Sequence, residues 1–175
     1  MKNLILTIII ATPFLLFGQG WERTYGGSYS DIGKSIQITT DGGYIIIGST
    51  KSFGNGDYDF WLIKTDMNGD SLWSKTYGTV NDDFGNSVQQ TTDGGYIITG
   101  TYDTPIGQGS GEDIFLIKTD SNGYTLWTKM FGGIEEERGK SVQQTADGGY
   151  IIVGNTGPNI YPKTYLIKTN SNGDT

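Results

Sequence analysis

The chain contains no cysteine and no histidine. Their absence removes the Ser-His-Asp and Cys-His nucleophile systems, the common zinc sites and copper or haem ligation through those side chains. Disulfides are excluded even in a compartment that would permit them, and no cysteine is left to carry a lipid behind a leader. Basic residues are scarce: 12 Lys and Arg stand against 19 Asp and Glu, a formal net charge of −7. The lysines sit singly, as at Lys64, Lys118 and Lys168, so the clustered cationic surface that tracks phosphates is not expected and nucleic acid is excluded as a partner. Carboxylates are the main acid–base chemistry that remains.

Residues 1–18 read as a secretory signal. Lys2 supplies the positive start, and residues 4–17 are apolar apart from Thr7, Thr12 and Pro13, a length that suits a signal core and is too short to span a bilayer. Cleavage after Gly18 would leave Gln19 as the new N-terminus and residues 19–175 as one folded unit without a membrane span. A secreted, extracellular or cell-surface protein is expected, with the periplasm as the other destination of such a leader.

Behind the leader the chain repeats itself. Asp-Gly-Gly-Tyr-Ile-Ile begins at Asp41, Asp93 and Asp147, in repeat units of about 21–72, 73–126 and 127–175. Residues 35–39, 87–91 and 141–145 read as polar-faced strands that enter a tight turn at Asp-Gly-Gly, where glycine accepts positive φ. The Tyr-Ile-Ile strand has bulk on both faces, which predicts burial on both. After a variable loop, residues 60–65, 114–119 and 164–169 form a third strand. It closes through Asp66-Met67-Asn68-Gly69 or Asp120-Ser121-Asn122-Gly123 onto a fourth strand opening with Leu72-Trp73 or Leu126-Trp127. Four short antiparallel strands per repeat have the dimension of one propeller blade. The fold class expected is all-β: a β-propeller-like array of about three four-stranded blades, stacked because no blade buries its own faces. Trp21, Trp73 and Trp127, repeated in register, are expected as anchors between blades.

The string Leu62-Ile63-Lys64-Thr65-Asp66, Asn68-Gly69, Leu72-Trp73 resembles the tryptophan-docking blade of the PQQ-like propellers. Asp-Gly-Gly-Tyr-Ile-Ile followed by Leu-Ile-Lys-Thr is similar to repeats of large secreted bacterial surface proteins that often end in a type IX secretion sorting domain. The resemblance runs over nearly all of residues 21–175 and implies a secreted, non-catalytic propeller. Residues 21–25 are read as a strand that opens the mature chain, and Thr175 falls just before the expected Leu-Trp, so strands from the two ends would have to be shared. Three blades are below the usual range of about four to eight. The expectation is the front part of a longer propeller, or a chain that completes its ring by oligomerising.

The candidate chemistry is weighed against structural roles. A glycosidase needs two carboxylates about 5–10 Å apart, but Asp31, Asp83 and Glu137 occupy equivalent places, as do Asp41, Asp93 and Asp147. Acids replicated in every copy are expected to satisfy turn amides, and Glu135-Glu136-Glu137 to be a solvated run. Asp66-Met67-Asn68-Gly69-Asp70 starts like a calcium loop but lacks its later glycine and bidentate glutamate, so turn chemistry is expected. Gly33-Lys34-Ser35 and Gly139-Lys140-Ser141 lack the upstream glycine of a phosphate loop, and nucleotide binding is rejected. No catalytic residue, cofactor or metal ligand is assigned. Ligand contacts are expected where the copies disagree, in the loops 51–59, 102–113 and 157–163, with Tyr58, Tyr102 and Tyr161 as residues able to stack on a sugar or grip a protein. The leading function is a binding or surface scaffold for a protein or glycan. The alternative is a fragment of a polysaccharide-active or quinone-dependent propeller enzyme whose catalytic residues lie outside this chain.

Overall fold

The computed structural model describes residues 20–103 and 111–175; the leader and residues 104–110 of the second variable loop lie outside them. Among the described residues there are eleven strands and no helix. The strands β1 (Asp31–Ile38), β2 (Tyr44–Thr50), β3 (Asp59–Thr65) and β4 (Ser71–Tyr77) form the first sheet. The second comprises β5 (Phe84–Gln90), β6 (Tyr96–Asp103), β7 (Glu112–Thr119) and β8 (Thr125–Phe131), and the third β9 (Glu137–Gln144), β10 (Tyr150–Thr156) and β11 (Lys163–Thr169). Each sheet is an antiparallel meander in chain order, and none is closed on itself. The all-β expectation holds, with a third sheet one strand short of the four expected.

The turns form where the sequence places glycine. Gly42, Gly94 and Gly148 adopt φ near +83°, +83° and +82°, a region open to glycine at no steric cost. Each lets the preceding threonine exchange backbone hydrogen bonds across the turn, as Gly42 N–H to Thr39 O at 2.9 Å. The motif Gly33-Lys34-Ser35 and its equivalents are bulges: the β1–β2 and β5–β6 ladders skip Lys34 and Asn86, and the β9–β10 ladder skips Lys140. A second bulge skips Leu72 and Leu126, which explains why two leucines beside the anchoring tryptophans are exposed.

The sheets pack face to face in chain order, β5 lying against β1, β2 and β3, and β9 against β5, β6 and β7. Ile45, Ile47, Phe60 and Leu62 of the first sheet meet Val88, Tyr96, Ile98 and Ile117 of the second in one core. The other side of the second sheet, through Ile97, Ile114 and Leu116, meets Val142, Tyr150, Ile152 and Ile167 of the third. Burial of each such side chain contributes about 1.5–3 kcal/mol. The double burial expected of the Ile-Ile pair depends on position. Ile97 and Ile98 of the middle sheet are fully buried, whereas Ile46 and Ile151 of the outer sheets are only half-buried, because among the described residues no sheet lies on one face of each outer sheet.

Tryptophan joins the layers. Trp73 in β4 meets the Tyr96 ring edge-on at 6.0 Å, and Trp127 in β8 meets Tyr150 at 5.8 Å. Each indole also covers the turn glycine of the following sheet, Gly123 or Gly173, where an added Cβ would collide with it. A pair of glutamines locks the same neighbours: Gln37 Oε1 accepts the Gln90 N–H at 2.6 Å, and Gln90 Oε1 accepts the Thr40 N–H at 2.8 Å. Gln89 and Gln144 do the same between the second and third sheets. Residues 21–25, read from sequence as a strand, are in no ladder. They lie on the first sheet instead, with Trp21 against Tyr44 at 5.7 Å.

Candidate functional site

The meander puts the tight turns at one end of each sheet and the variable loops at the other. At the turn end the repeated acids have a common role. Asp41, Asp93 and Asp147 each accept a threonine hydroxyl, from Thr39, Thr91 and Thr145, and the N–H of Gly43, Gly95 and Gly149. Each also receives a lysine ammonium, Lys64, Lys118 or Lys168, at 2.9 Å. The thiol-free, histidine-free sequence gave no hint that its isolated lysines reach back across the hairpin. Lys64 and Lys118 are buried, and their ammoniums also donate to the carbonyls of Thr65 and Thr119. The Thr39 hydroxyl and Lys64 hold the Asp41 carboxyl at about 2. Burial pushes Asp93 up, but bonds from Thr91, Lys118 and Gly95 outweigh it and leave it at about 2. In the next turn Asp66 Oδ1 accepts the N–H groups of Asn68 and Asp70 at 2.8 and 2.9 Å, which is the turn chemistry expected there.

At the loop end a second set of acids shapes the connections. Asp31, Asp83 and Glu137 accept the N–H four residues earlier, from Gly27, Thr79 and Gly133, at 2.8, 2.7 and 3.0 Å. Asp31 and Glu137 also accept the Thr50 and Thr156 hydroxyls, while Asp83 accepts the Asp103 N–H at 3.0 Å. Two acidic pairs result, Asp59 with Asp83 beside Gly78, and Asp113 with Glu137 beside Gly132. Burial, with Asp59 adding to it, pushes Asp83 up to about 6. Burial raises Asp113 too, and Glu137 adds to the effect. Asp59 and Asp83 are essentially inaccessible to solvent, so the pair is closed to a substrate and acts on the loops around it. Asp59 Oδ2 accepts the Asn55 N–H at 2.8 Å, which folds the first variable loop over the carboxylate.

The three tyrosines read from sequence have different surroundings. Tyr58 closes the first loop with its ring 5.1 Å from Phe84, the Lys51 ammonium 4.5 Å above it and its hydroxyl donating to Ser30. Tyr102 belongs to β6 and not to a loop; it pairs with Asp113 and stacks on Phe115 at 4.9 Å. Tyr161 is 80% exposed and stands in the third loop. The first two are therefore held by packing, and Tyr161 alone of the three is presented to solvent.

A cleft that sequence reasoning missed draws on all three sheets. Lys34 of β1, Phe84 and Asn86 of β5, and Arg138 and Lys140 of β9 line about 170 Å³, with Thr101 and Glu112 at its wall. Lys34 and Lys140 are exposed bulge residues, and bulges re-aim side chains out of the ladder. Arg138 is paired with Glu112 and with Glu136, and donates to Asn159 Oδ1. Asn86 Nδ2 donates to Gly139 O at 2.8 Å, fixing the cleft floor between neighbouring first strands. The sequence signal was available in one column of the repeat: lysine stands between the constant glycine and serine in the first and third copies, as Lys34 and Lys140, and Asn86 replaces it in the second. Chemically the cleft offers two ammoniums, an amide and one aromatic ring in an otherwise acidic chain. The sequence matches no protein-family model, and no characterised protein is significantly similar to it.

Proposed function

We propose that the chain is a secreted, non-catalytic propeller segment that serves as a binding scaffold, with its ligand at the loop end of the sheets. The first strands of successive sheets adjoin one another, as strands around a propeller axis do, and this supports reading the sheets as successive blades. The leader-like residues 1–18 support export, and the repeat grammar supports a surface protein of the kind named above. The observation that carries the binding role is the cleft itself. Polar groups that recur in every copy are occupied in turns and ion pairs, whereas Lys34 and Lys140 line the cleft as exposed bulge residues and the second copy has Asn86 in their place.

An acidic glycan or an acidic peptide fits Lys34 and Lys140, with Phe84 as a stacking surface, and of the two the glycan is preferred because the cleft is small and ring-lined. A glycan array that includes uronic-acid and sulfated chains tests it. Binding is expected, and Lys34→Ala with Lys140→Ala should weaken it about tenfold, the effect of losing one well-placed contact of about 1.4 kcal/mol. Tyr161→Ala reports separately on the third loop. Binding that is unchanged by the lysine pair but lost with Tyr161 would move the ligand to the loops, and no binding to any glycan would refute the glycan reading.

A further inference from the structure

Asp59 and Asp83 are 1% and 0% exposed and stand together at the loop end without a counter-charge. A Cβ on Gly78 would collide with both Asp59 Oδ1 and Asp83 Oδ2, so these two oxygens face one space. The other oxygens of the pair are taken by donors from three segments. Asp59 Oδ2 accepts the N–H groups of Asn55 and Gly56 at 2.8 and 3.3 Å. Asp83 Oδ2 accepts the Thr79 N–H at 2.7 Å and the Thr79 hydroxyl at 3.2 Å, and Asp83 Oδ1 accepts the Asp103 N–H at 3.0 Å. Among the described residues nothing donates to Asp59 Oδ1, and no lysine or arginine forms an ion pair with either acid. Two carboxylates buried in one space without a cation ionise together only at high cost. The pair therefore titrates as a unit and keeps one proton, whose place is between Asp59 Oδ1 and Asp83 Oδ2.

The repeat supplies its own control. Asp31 occupies the place of Asp83 and makes the same bond to the N–H four residues earlier, but no second acid stands beside it at Gly26. Burial raises Asp31, yet bonds from Thr50, Gly27 and Ser52 outweigh it and leave the carboxyl lowered. At Asp83 burial, with Asp59 adding to it, wins against bonds of the same kind. In the next copy Asp113 is partly exposed beside Glu137, so water screens that pair. The charged groups around Asp59 and Asp83 are otherwise engaged. Lys51 of the first loop is paired with Asp57 at 3.3 Å. Asp82 accepts the Tyr58 N–H at 3.1 Å, and Asp31 is bonded to Thr50, the register partner of Asp59. From β6 come the carboxylate of Asp103 and the Tyr102 hydroxyl, which burial and then Asp83 push up. None of these supplies the missing cation.

We propose that the Asp59–Asp83 pair is a proton-operated latch: the shared proton holds the first variable loop, the 78–83 linker and the end of β6 together, and its loss to solvent lets the loop open. The inference does not rest on the ligand proposed above. The loop ends in Tyr58, whose carbonyl accepts the Asp83 N–H at 2.6 Å and whose ring lies 5.1 Å from Phe84. Phe84 lines the cleft, so the latch governs how firmly the one ring of the cleft is held. The pH course follows from linkage. Asp83 titrates at about 6 in the closed loop and near the ordinary 3.8 once water reaches it. Opening is therefore favoured about tenfold more for each pH unit between about 4 and 6, about a hundredfold in all, and levels off above that.

Amide hydrogen exchange of the full chain from pH 4 to 7, corrected for the intrinsic rate of each amide, reads the opening directly. Protection of Asn55 and Gly56 should fall about a hundredfold across the range. That of Gly95, bonded at the turn end to Asp93, which titrates at about 2, should stay level. Asp59→Asn puts an amide N–H at the oxygen that has no donor, where it bonds to Asp83 Oδ2, while its remaining oxygen keeps Asn55 and Gly56. This variant should hold the loop closed at every pH from 4 to 7. Asp82→Asn leaves the pair intact and should retain the wild-type fall. An equal fall at Gly95 would make the response global and overturn the latch. Wild-type loop protection that does not change with pH would overturn it too, even where a variant fails to fold. So would a fall that persists in Asp59→Asn or vanishes in Asp82→Asn.

Discussion

Leu116→Ala is expected to lower the unfolding free energy by about 2–5 kcal/mol, whereas Leu126→Ala in the same sheet should change it by less than about 0.5 kcal/mol. Leu116 is fully buried between the second and third sheets, in one cluster with Ile114, Val142 and Ile152. Its loss removes transfer free energy and leaves a cavity lined by strands from two sheets, and the second of these cannot close it without opening its packing on the first. Leu126 is 59% exposed because the β7–β8 ladder skips it at a bulge. Chemical denaturation of both variants checks the contrast. Equal effects would mean that the sheets do not press together as described.

Stability is expected to rise on acidification from pH 7 to about 4 and to fall below that, an order set by two oppositely shifted groups of acids. Asp83 is raised from 3.8 to about 6 in the fold, so between those values the native chain holds a proton that the unfolded chain releases. Its contribution favours the native state below about 4 and is lost as pH rises to about 6, a difference of about 3 kcal/mol for a group this buried. Asp41 and Asp93 are lowered to about 2; their support is present above about 4 and is lost as pH falls toward 2. Both carboxylates are more than half exposed, so solvent screening reduces their share. Asp83→Asn should abolish most of the rise between pH 7 and 4 and leave the acid-side fall intact. Thermal unfolding across this range checks both limbs, and a wild-type curve that is flat from 7 to 4 would refute the burial of Asp83.

Much of this architecture was legible because the chain states it three times. Asp-Gly-Gly marked every first turn, the asparagine-glycine pair the next, and the spacing of isoleucine and tryptophan the strands and their anchors. What sequence could not supply was position in the stack. Leu62, Leu116 and Leu166 stand in the same motif, yet two are buried and one is exposed, since burial depends on whether a sheet follows. Residues 21–25 carry the tryptophan and aromatic spacing of an outer strand but are in no ladder among the described residues, so the strand expected there is not formed. Pairing across the hairpin was equally hidden: the sequence separation of Asp41 and Lys64 does not reveal that the β2–β3 ladder and the glycine turn bring them to 2.9 Å. At the candidate site, the loop tyrosines drew attention because aromatic residues stand out in a sequence, yet Tyr58 and Tyr102 are packed. The cleft residues were visible only as a Lys-Asn-Lys column between a constant glycine and serine, and the bulge itself cannot be read from Gly-Lys-Ser without the ladder.

The central claim is that the first and second sheets each seat a tryptophan on the turn glycine of the sheet that follows, and proton NMR of labelled protein tests it most directly. An indole lying over a glycine shields its α-protons. The resonances of Gly123 and Gly173 should be displaced upfield, and Trp73→Leu and Trp127→Leu should each restore the glycine of the following sheet alone. Gly69 should answer to Trp21 in the same way. Ordinary glycine shifts at all three positions, or a substitution that moves the wrong glycine, would contradict the stacked arrangement.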